Sequence, residues 1–323
     1  MKLALLYEAC VRTRSRHSHC DACRAACPVD AIALDGPGET ITVALDRCVG
    51  CGLCVAACPT DAFTAPFELA RLVAHSDGML GCDSDGLPCI GALAAEDLVT
   101  LATRVGRVCL VDGPCRFRDA GHGRALERVG EAQRLLDALG VRATVEWQAD
   151  PGLPPPPAVK RPVAAQRPPR PAPVSEERRS FLRMFVPRPR SDRPRLVQPG
   201  RLDPQRLVEV PARRQRLLAT LPSMLEPTTA TLPQRAVPFV ANHRLAEARC
   251  NGCRACIESC PTGALFEPAA PSELHFDVSR CVACGLCHEV CEPTALTVAP
   301  DVSIEDFAQR TATRLGALVR PRG

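Results

Sequence analysis

Large side chains are scarce in this chain: 323 residues contain one Trp, one Tyr and nine Phe. Aromatic rings supply the largest buried areas in ordinary cores, so such a chain cannot fill conventional cores along its whole length. Runs of 18 apolar residues are also missing, which excludes a hydrophobic membrane-spanning helix. The opening MKLALLYEAC reaches Tyr7 and Glu8 too soon for a signal-peptide core. A cytoplasmic chain with reduced thiols is therefore expected. Neither G-x-S-x-G nor G-x-x-x-x-G-K-[ST] occurs, and GHGRAL (Gly121–Leu126) holds only two glycines of a dinucleotide fingerprint, so no catalytic site is detected.

What the chain does have is cysteine and proline, 20 and 32 of them. The cysteines fall in three zones, Cys10–Cys58, Cys82–Cys115 and Cys250–Cys291, with a cysteine-free middle. Fourteen prolines lie between Asp150 and Gly200, including Pro154–Pro157, and read as an extended, disordered linker. From Lys160 to Arg216 there are 16 basic and five acidic residues, or +11; a whole-chain charge of +4 leaves −7 elsewhere. The basic run lacks interleaved aromatics, which argues against nucleic acid. Within it RRSFLR (Arg178–Arg183) resembles a twin-arginine export signal but is internal and followed by VPRPR, so it reads as linker.

The first and third zones repeat one another. RCVGCGLCVAACPTDAF (Arg47–Phe63) aligns with RCVACGLCHEVCEPTAL (Arg280–Leu296), with Glu292 taken as an insertion. Segments such as AIALDGPGETITVALD alternate around a turn and predict short β-hairpins. The second zone differs. IGALAAEDLVTLATRVG and ALERVGEAQRLLDALG predict helices ending at Gly106 and Gly140, and RVCLVDG and VRATVEW predict strands, together a small parallel α/β unit. SIEDFAQRTATRLGALV predicts an amphipathic helix with Ser303 as N-cap.

Cys250, Cys253, Cys256 and Cys260 form C-x2-C-x2-C-x3-C-P, the spacing that wraps three corners of a cubane and sends the fourth cysteine to the neighbouring cluster. One cluster then takes Cys250, Cys253, Cys256 and Cys291, and the other Cys260, Cys281, Cys284 and Cys287. Paired zinc sites are the competing reading, disfavoured because zinc ligands come as separated pairs. These residues resemble the bacterial-type two-[4Fe–4S] ferredoxin family over about 10–63 and 241–298. The resemblance implies a small α+β fold of pseudo-twofold symmetry and one-electron transfer. The C-terminal half also resembles the ferredoxin-type accessory proteins of periplasmic nitrate reductase, on the strength of RRSFLR upstream.

In the first zone the same crossover gives one complete set, Cys27, Cys48, Cys51 and Cys54. Cys20, Cys23 and Cys58 form a second set lacking a ligand, because His17 holds the register position. Candidates for the gap are Cys10, His17, His19 or no residue, the last giving a three-iron cluster. Thiolate softness favours Cys10, and the arginines between Cys10 and Cys20 are expected to raise that cluster's potential.

The segment from Leu87 to Trp147 resembles the delta-subunit family of methyl-viologen-reducing hydrogenases and heterodisulfide reductases. That resemblance implies a [2Fe–2S] cluster, with Cys82, Cys89, Cys109 and Cys115 as candidates, although the family's second cysteine after Cys115 is missing.

The expected architecture is α+β: a first ferredoxin-like two-cluster module (1–66), a small α/β domain (67–150), a Pro/Arg-rich disordered linker (151–236), a second module (237–302) and a C-terminal helix (303–323). The expected function is electron transfer by four [4Fe–4S] clusters to a redox partner protein, with a molybdenum or flavin oxidoreductase as the candidate partner. The alternatives are an assembly factor for such an enzyme or one of its non-catalytic iron–sulfur subunits.

Overall fold

The computed structural model describes residues 3–34, 41–64, 67–75, 77–84, 86–115, 117–157, 210–221, 229–268 and 272–318. The twin-arginine-like RRSFLR, the Gly-Pro-Gly turn and most of the proline-rich segment lie outside them.

The first zone folds into short helices around a hairpin. Helices α1 (Val11–Arg14) and α2 (Ala22–Ala26) precede antiparallel strands β1 (Ile32–Leu34) and β2 (Ile41–Val43), and α3 (Leu53–Ala57) follows. Each strand buries its first residue, Ile32 and Ile41, and leaves the other two half-buried.

The middle unit is parallel α/β, as its pattern predicts. Its elements are α4 (Leu69–His75), β3 (Met79–Leu80), α5 (Ala95–Val105), β4 (Arg107–Val111), α6 (Arg118–Ala138) and β5 (Thr144–Gln148). Strand β4 lies between β3 and β5, parallel to both, and its Val108, Cys109 and Leu110 are buried. A central strand covered on both faces reads as a continuous apolar run, which is how VCLV reads. Gly78 and Gly140 both have positive φ (82° and 66°), but they differ in space. A Cβ at Gly78 would sit 2.1 Å from the Arg107 carbonyl oxygen, and one at Gly140 meets nothing within 4 Å. Gly140→Ala should therefore cost only the left-handed strain, about 1–2 kcal/mol. Gly78→Ala should cost about 2–4 kcal/mol, because backbone must also move. Denaturant melts of the two variants test the contrast, and equal midpoints would contradict it.

Two expectations at the edges of the linker and the C-terminus are corrected. The end of the predicted linker is ordered: α7 (Ala212–Thr220) packs on α5 and buries Leu217 and Leu218, with Leu221 just beyond it. Beyond it, β6 (Thr231–Pro233) pairs with a later strand of the second module. Those apolar residues at helical spacing are masked in sequence by the surrounding Arg and Pro.

The second module contains β7 (His243–Leu245), α8 (Ala255–Ser259), β8 (Leu265–Phe266), β9 (Glu273–Asp277), α9 (Leu286–Val290) and β10 (Leu296–Val298). It continues into β11 (Asp301–Ser303), which pairs with β6, then α10 (Ile304–Gln309) and β12 (Ala312–Ala317). The predicted C-terminal helix is thus only α10. Ser303 caps it as expected, its Oγ accepting from the Asp306 amide at 3.1 Å. Arg310 then turns left-handed (φ 58°) and ends it, and 312–317 becomes a strand that pairs with β9. A free sheet edge outcompetes helix propensity there.

One hydrophobic core runs from Leu69 through Leu98, Leu217, Val240 and Phe276 to Leu318. The α/β unit and the second module therefore share a core, with α7 between them.

Candidate metal centres

All 20 cysteines are unpaired thiols, and those of the two repeats collect into four groups. Cys27, Cys48, Cys51 and Cys54 line one cavity. Cys10, Cys20, Cys23 and Cys58 line a second. Cys260, Cys281, Cys284 and Cys287 line a third, with His243 and His288 in its wall. In the fourth group Cys291, Cys253 and Cys250 all lie close enough to Cys256 to raise its pKa. Crossover spacing groups three of these sets and leaves Cys20, Cys23 and Cys58 short of one residue; of the candidates for that gap, Cys10 lines the cavity.

Local backbone explains the convergence. The residue three past each crossing cysteine is left-handed: Asp30, Asp61, Gly263 and Thr294 have φ of 48°, 50°, 63° and 48°. That bend returns the next amide to the sulfur, so Ala31, Ala62 and Ala295 donate to Cys27, Cys58 and Cys291, each at 3.3 Å. Amide donors to sulfur stabilise thiolate and raise a cluster's reduction potential. Glu292 is consequently not an insertion, because Thr294 and Ala295 keep the register of Asp61 and Ala62; Glu292 occupies the place of Pro59.

A second repeat brackets the middle cysteine of each tight loop. Gly50 and Gly52 flank Cys51, Gly252 and Arg254 flank Cys253, and Ala283 and Gly285 flank Cys284, all with positive φ. Cys20 has no such pair; Asp21 beside it has φ −131°. The chain instead reaches this site by the longer loop from Cys10. Arg12, 4 % exposed, stitches that loop shut by donating to the carbonyl of Cys20 at 2.9 Å. Thr13 Oγ1 donates to the Tyr7 and Cys10 carbonyls at 2.6 and 2.8 Å. His17 and His19 point elsewhere: both are exposed, and the His19 amide donates to Glu289 of the second module at 3.1 Å.

Burial pushes the Cys20 thiol up to about 11 and Cys23 up to about 12, and the neighbouring cysteines add to both. Burial also raises Cys10, with Cys58 contributing. Three neighbouring thiols with raised pKa values, Cys10, Cys20 and Cys23, remain protonated unless a cation replaces the protons, and this is the donor chemistry of an iron–sulfur site. Burial likewise drives His243 down to about 3. His288 Nδ1 faces the Leu296 carbonyl at 3.1 Å and therefore donates to it. Its Nε2 then accepts from His243 Nδ1 at 3.2 Å, which leaves His243 Nε2 toward Cys281 Sγ, 3.7 Å away.

The two modules meet through α7. Consecutive helical residues point about 100° apart, so Arg213 and Arg214 reach different modules. Arg213 donates to the Cys58 carbonyl at 2.8 Å and pairs with Asp61. Arg214, 1 % exposed, donates to the carbonyls of Ser279, Cys281 and Phe239 at 2.8–2.9 Å. Both guanidinium groups also engage Glu96 of α5. Cys20 and Cys58 of one site and Cys284 of another line a single cleft of about 480 Å³ beside these arginines. Charge on Cys20 raises the Cys284 pKa, so the two sites feel one another.

The cysteines of the middle unit do not assemble as predicted. Cys82, Cys89 and Cys115 are neighbours, but Cys109 is on β4 and its Sγ faces Gln148 at 3.8 Å. The proposed four-cysteine [2Fe–2S] set is therefore corrected. Sequence reading missed His122 here, hidden in GHGRAL, along with Arg213 and Arg214, which read as solvated linker charge.

Two segments of the chain, 18–62 and 249–295, match the family model of the 4Fe-4S dicluster domain. Cys10 lies just outside the first. A comparison with curated proteins finds no match. The two matches support an iron–sulfur electron-transfer role, which implies a redox partner. No helix among the described residues is long and apolar enough to cross a membrane.

Proposed function

We propose that the protein relays single electrons along four [4Fe–4S] clusters in the order Cys27/Cys48/Cys51/Cys54, Cys10/Cys20/Cys23/Cys58, Cys260/Cys281/Cys284/Cys287 and Cys250/Cys253/Cys256/Cys291. The observation that carries the reading is the shared cleft of Cys20, Cys58 and Cys284, which makes the two modules one path. When bound, the clusters supply the one-electron chemistry. The chain's own residues bury Cys10, Cys23 and Cys58 of one inner site and Cys260, Cys281 and Cys287 of the other, donate to sulfur and fix the spacing between modules. Cys10 is the fourth ligand of its site. Cys253 is the one exposed cysteine, so the outer site of the second module is where a partner oxidoreductase, of the molybdenum or flavin type, exchanges electrons.

Anaerobic purification with iron and sulfide analysis tests the count. About 16 of each per chain is expected from four cubanes, all reducible in one-electron steps followed by EPR. A chain saturated at about eight irons would overturn the relay. Chelation should also unfold both modules cooperatively, because ligation energy stands in for missing aromatic core. Circular dichroism that survives iron removal unchanged would contradict that linkage.

A further inference from the structure

The middle unit holds a second kind of centre. Cys82 follows β3, Cys89 opens the turn into Ile90–Ala92, and His122 lies in the second turn of α6. Cys82 Sγ is 3.3 Å from His122 Nε2, and the three donor atoms all lie within 4.8 Å of one another. His122 and Cys89 are fully buried. The opposite ring nitrogen, Nδ1, is 2.6 Å from Asp112 Oδ1. A carboxylate only accepts, so Nδ1 carries the proton and the Nε2 lone pair faces the sulfurs. Asp112 is itself held by Arg118, at 3.0 and 2.6 Å, and by the Gly113 amide at 3.0 Å. A histidine oriented by a fixed carboxylate is the usual support of a metal-bound imidazole. Cys115 is the next donor, near enough to Cys82 to interact with it, and its Sγ accepts from the Phe117 amide at 3.4 Å.

The number of metals follows from spacing. Tetrahedral bonds of about 2.3 Å to sulfur and 2.0–2.1 Å to nitrogen set neighbouring ligand atoms about 3.5–3.8 Å apart. Three donors clustered this closely converge on one point. A two-iron cluster divides its four ligands between two irons, so no three of them converge. The first glycine of GHGRAL serves the same packing: a Cβ at Gly121 would lie 2.9 Å from Cys89 Sγ.

From this geometry we infer that Cys82, Cys89 and His122, completed by Cys115, bind one tetrahedral divalent metal ion of the zinc class. With four protein ligands the site is closed, so the ion is structural. It ties β3, the turn at Ile90 and the start of α6 into one knot. Cys89 packs with Leu53 and Ala26 of the first module, so the knot also seats that module on the α/β unit.

The test uses the full chain, expressed with zinc supplied and purified anaerobically. One zinc per chain is expected beside the iron. Absorption at the zinc edge should give three sulfur neighbours near about 2.3 Å and one nitrogen near about 2.0 Å. This readout is blind to the iron clusters. His122→Ala should lower zinc occupancy at least tenfold with iron content unchanged. His122→Cys should retain zinc with an all-sulfur shell, which guards against a variant that merely misfolds. Asp112→Asn should weaken zinc binding by about 10- to 100-fold, and Cys109→Ser should leave it unchanged. Zinc that persists in His122→Ala would overturn the inference. So would a zinc-free protein, or one carrying two extra irons and sulfides that disappear in Cys89→Ser.

Discussion

Cys10→Ser will remove iron from one cluster of the first module and leave the other three intact. The variant should fall from about 16 irons to between about 12 and 15, depending on whether the site empties or keeps a three-iron core. The physical reason is that, among the described residues, the cavity is lined by no cysteine besides the four of this site and by no histidine. Cys10 lines it with Cys20, Cys23 and Cys58, and the exposed His17 and His19 face the second module's side. His17→Ala and His19→Ala should therefore retain full iron. Restoring a cysteine at the family register position, His17→Cys in the Cys10→Ser background, should not rescue, because Cys20 lacks the left-handed flanks that fold a tight loop. Full iron and an unaltered EPR spectrum in Cys10→Ser would sink the assignment. Loading is also pH-linked: with thiols raised to about 11 and 12 at Cys20 and Cys23, each ligand loses a proton on metal binding. Cluster assembly should weaken as pH falls.

Arg214→Leu will destabilise the junction of the modules by about 3–5 kcal/mol, the usual cost of removing one partner from a buried ion pair. Glu96 would keep only the longer contact to Arg213, 3.4 Å, and two buried carbonyls and one half-buried carbonyl would lose their donor. Arg214→Lys should recover only part, since one ammonium cannot reach three carbonyls and a carboxylate that a planar fork serves together. Glu96→Leu combined with Arg214→Leu should be less destabilised than the sum of the single changes. Chemical denaturation of the four proteins decides this, and additive effects would mean that the pair is uncoupled.

The four thiol groups and the parallel α/β unit were legible because their signals are local: cysteine spacing, period-two strands, helical apolar spacing and stop glycines. The choice of Cys10 over His17 and His19 rests on donor softness alone; the sequence does not show Arg12 closing the loop that brings Cys10 beside Cys20. Charge in context was not legible. Arg213 and Arg214 sit among 16 basic residues of a proline-rich stretch, and nothing local distinguishes a buried guanidinium from a solvated one. His122 was hidden for a similar reason: its partners are 40 and 33 positions away in sequence, joined only when α6 packs on the turn at Ile90. At the C-terminus, a capped helix of six residues resembled the start of a longer one until β9 offered an unpaired edge.

Arg213 and Arg214 bear on rate as well as stability. Electron tunnelling falls off steeply with distance, so a hinge between the modules would make transfer wait on diffusion. Two adjacent peptide units of one helix hold the backbone of Cys58 on one side and of Cys281 on the other. In the proposed relay the gap between the inner clusters is thereby held by the hydrogen bonds of two neighbouring arginines on one helix. The relay proposed above then predicts an ungated transfer whose rate does not respond to solvent viscosity.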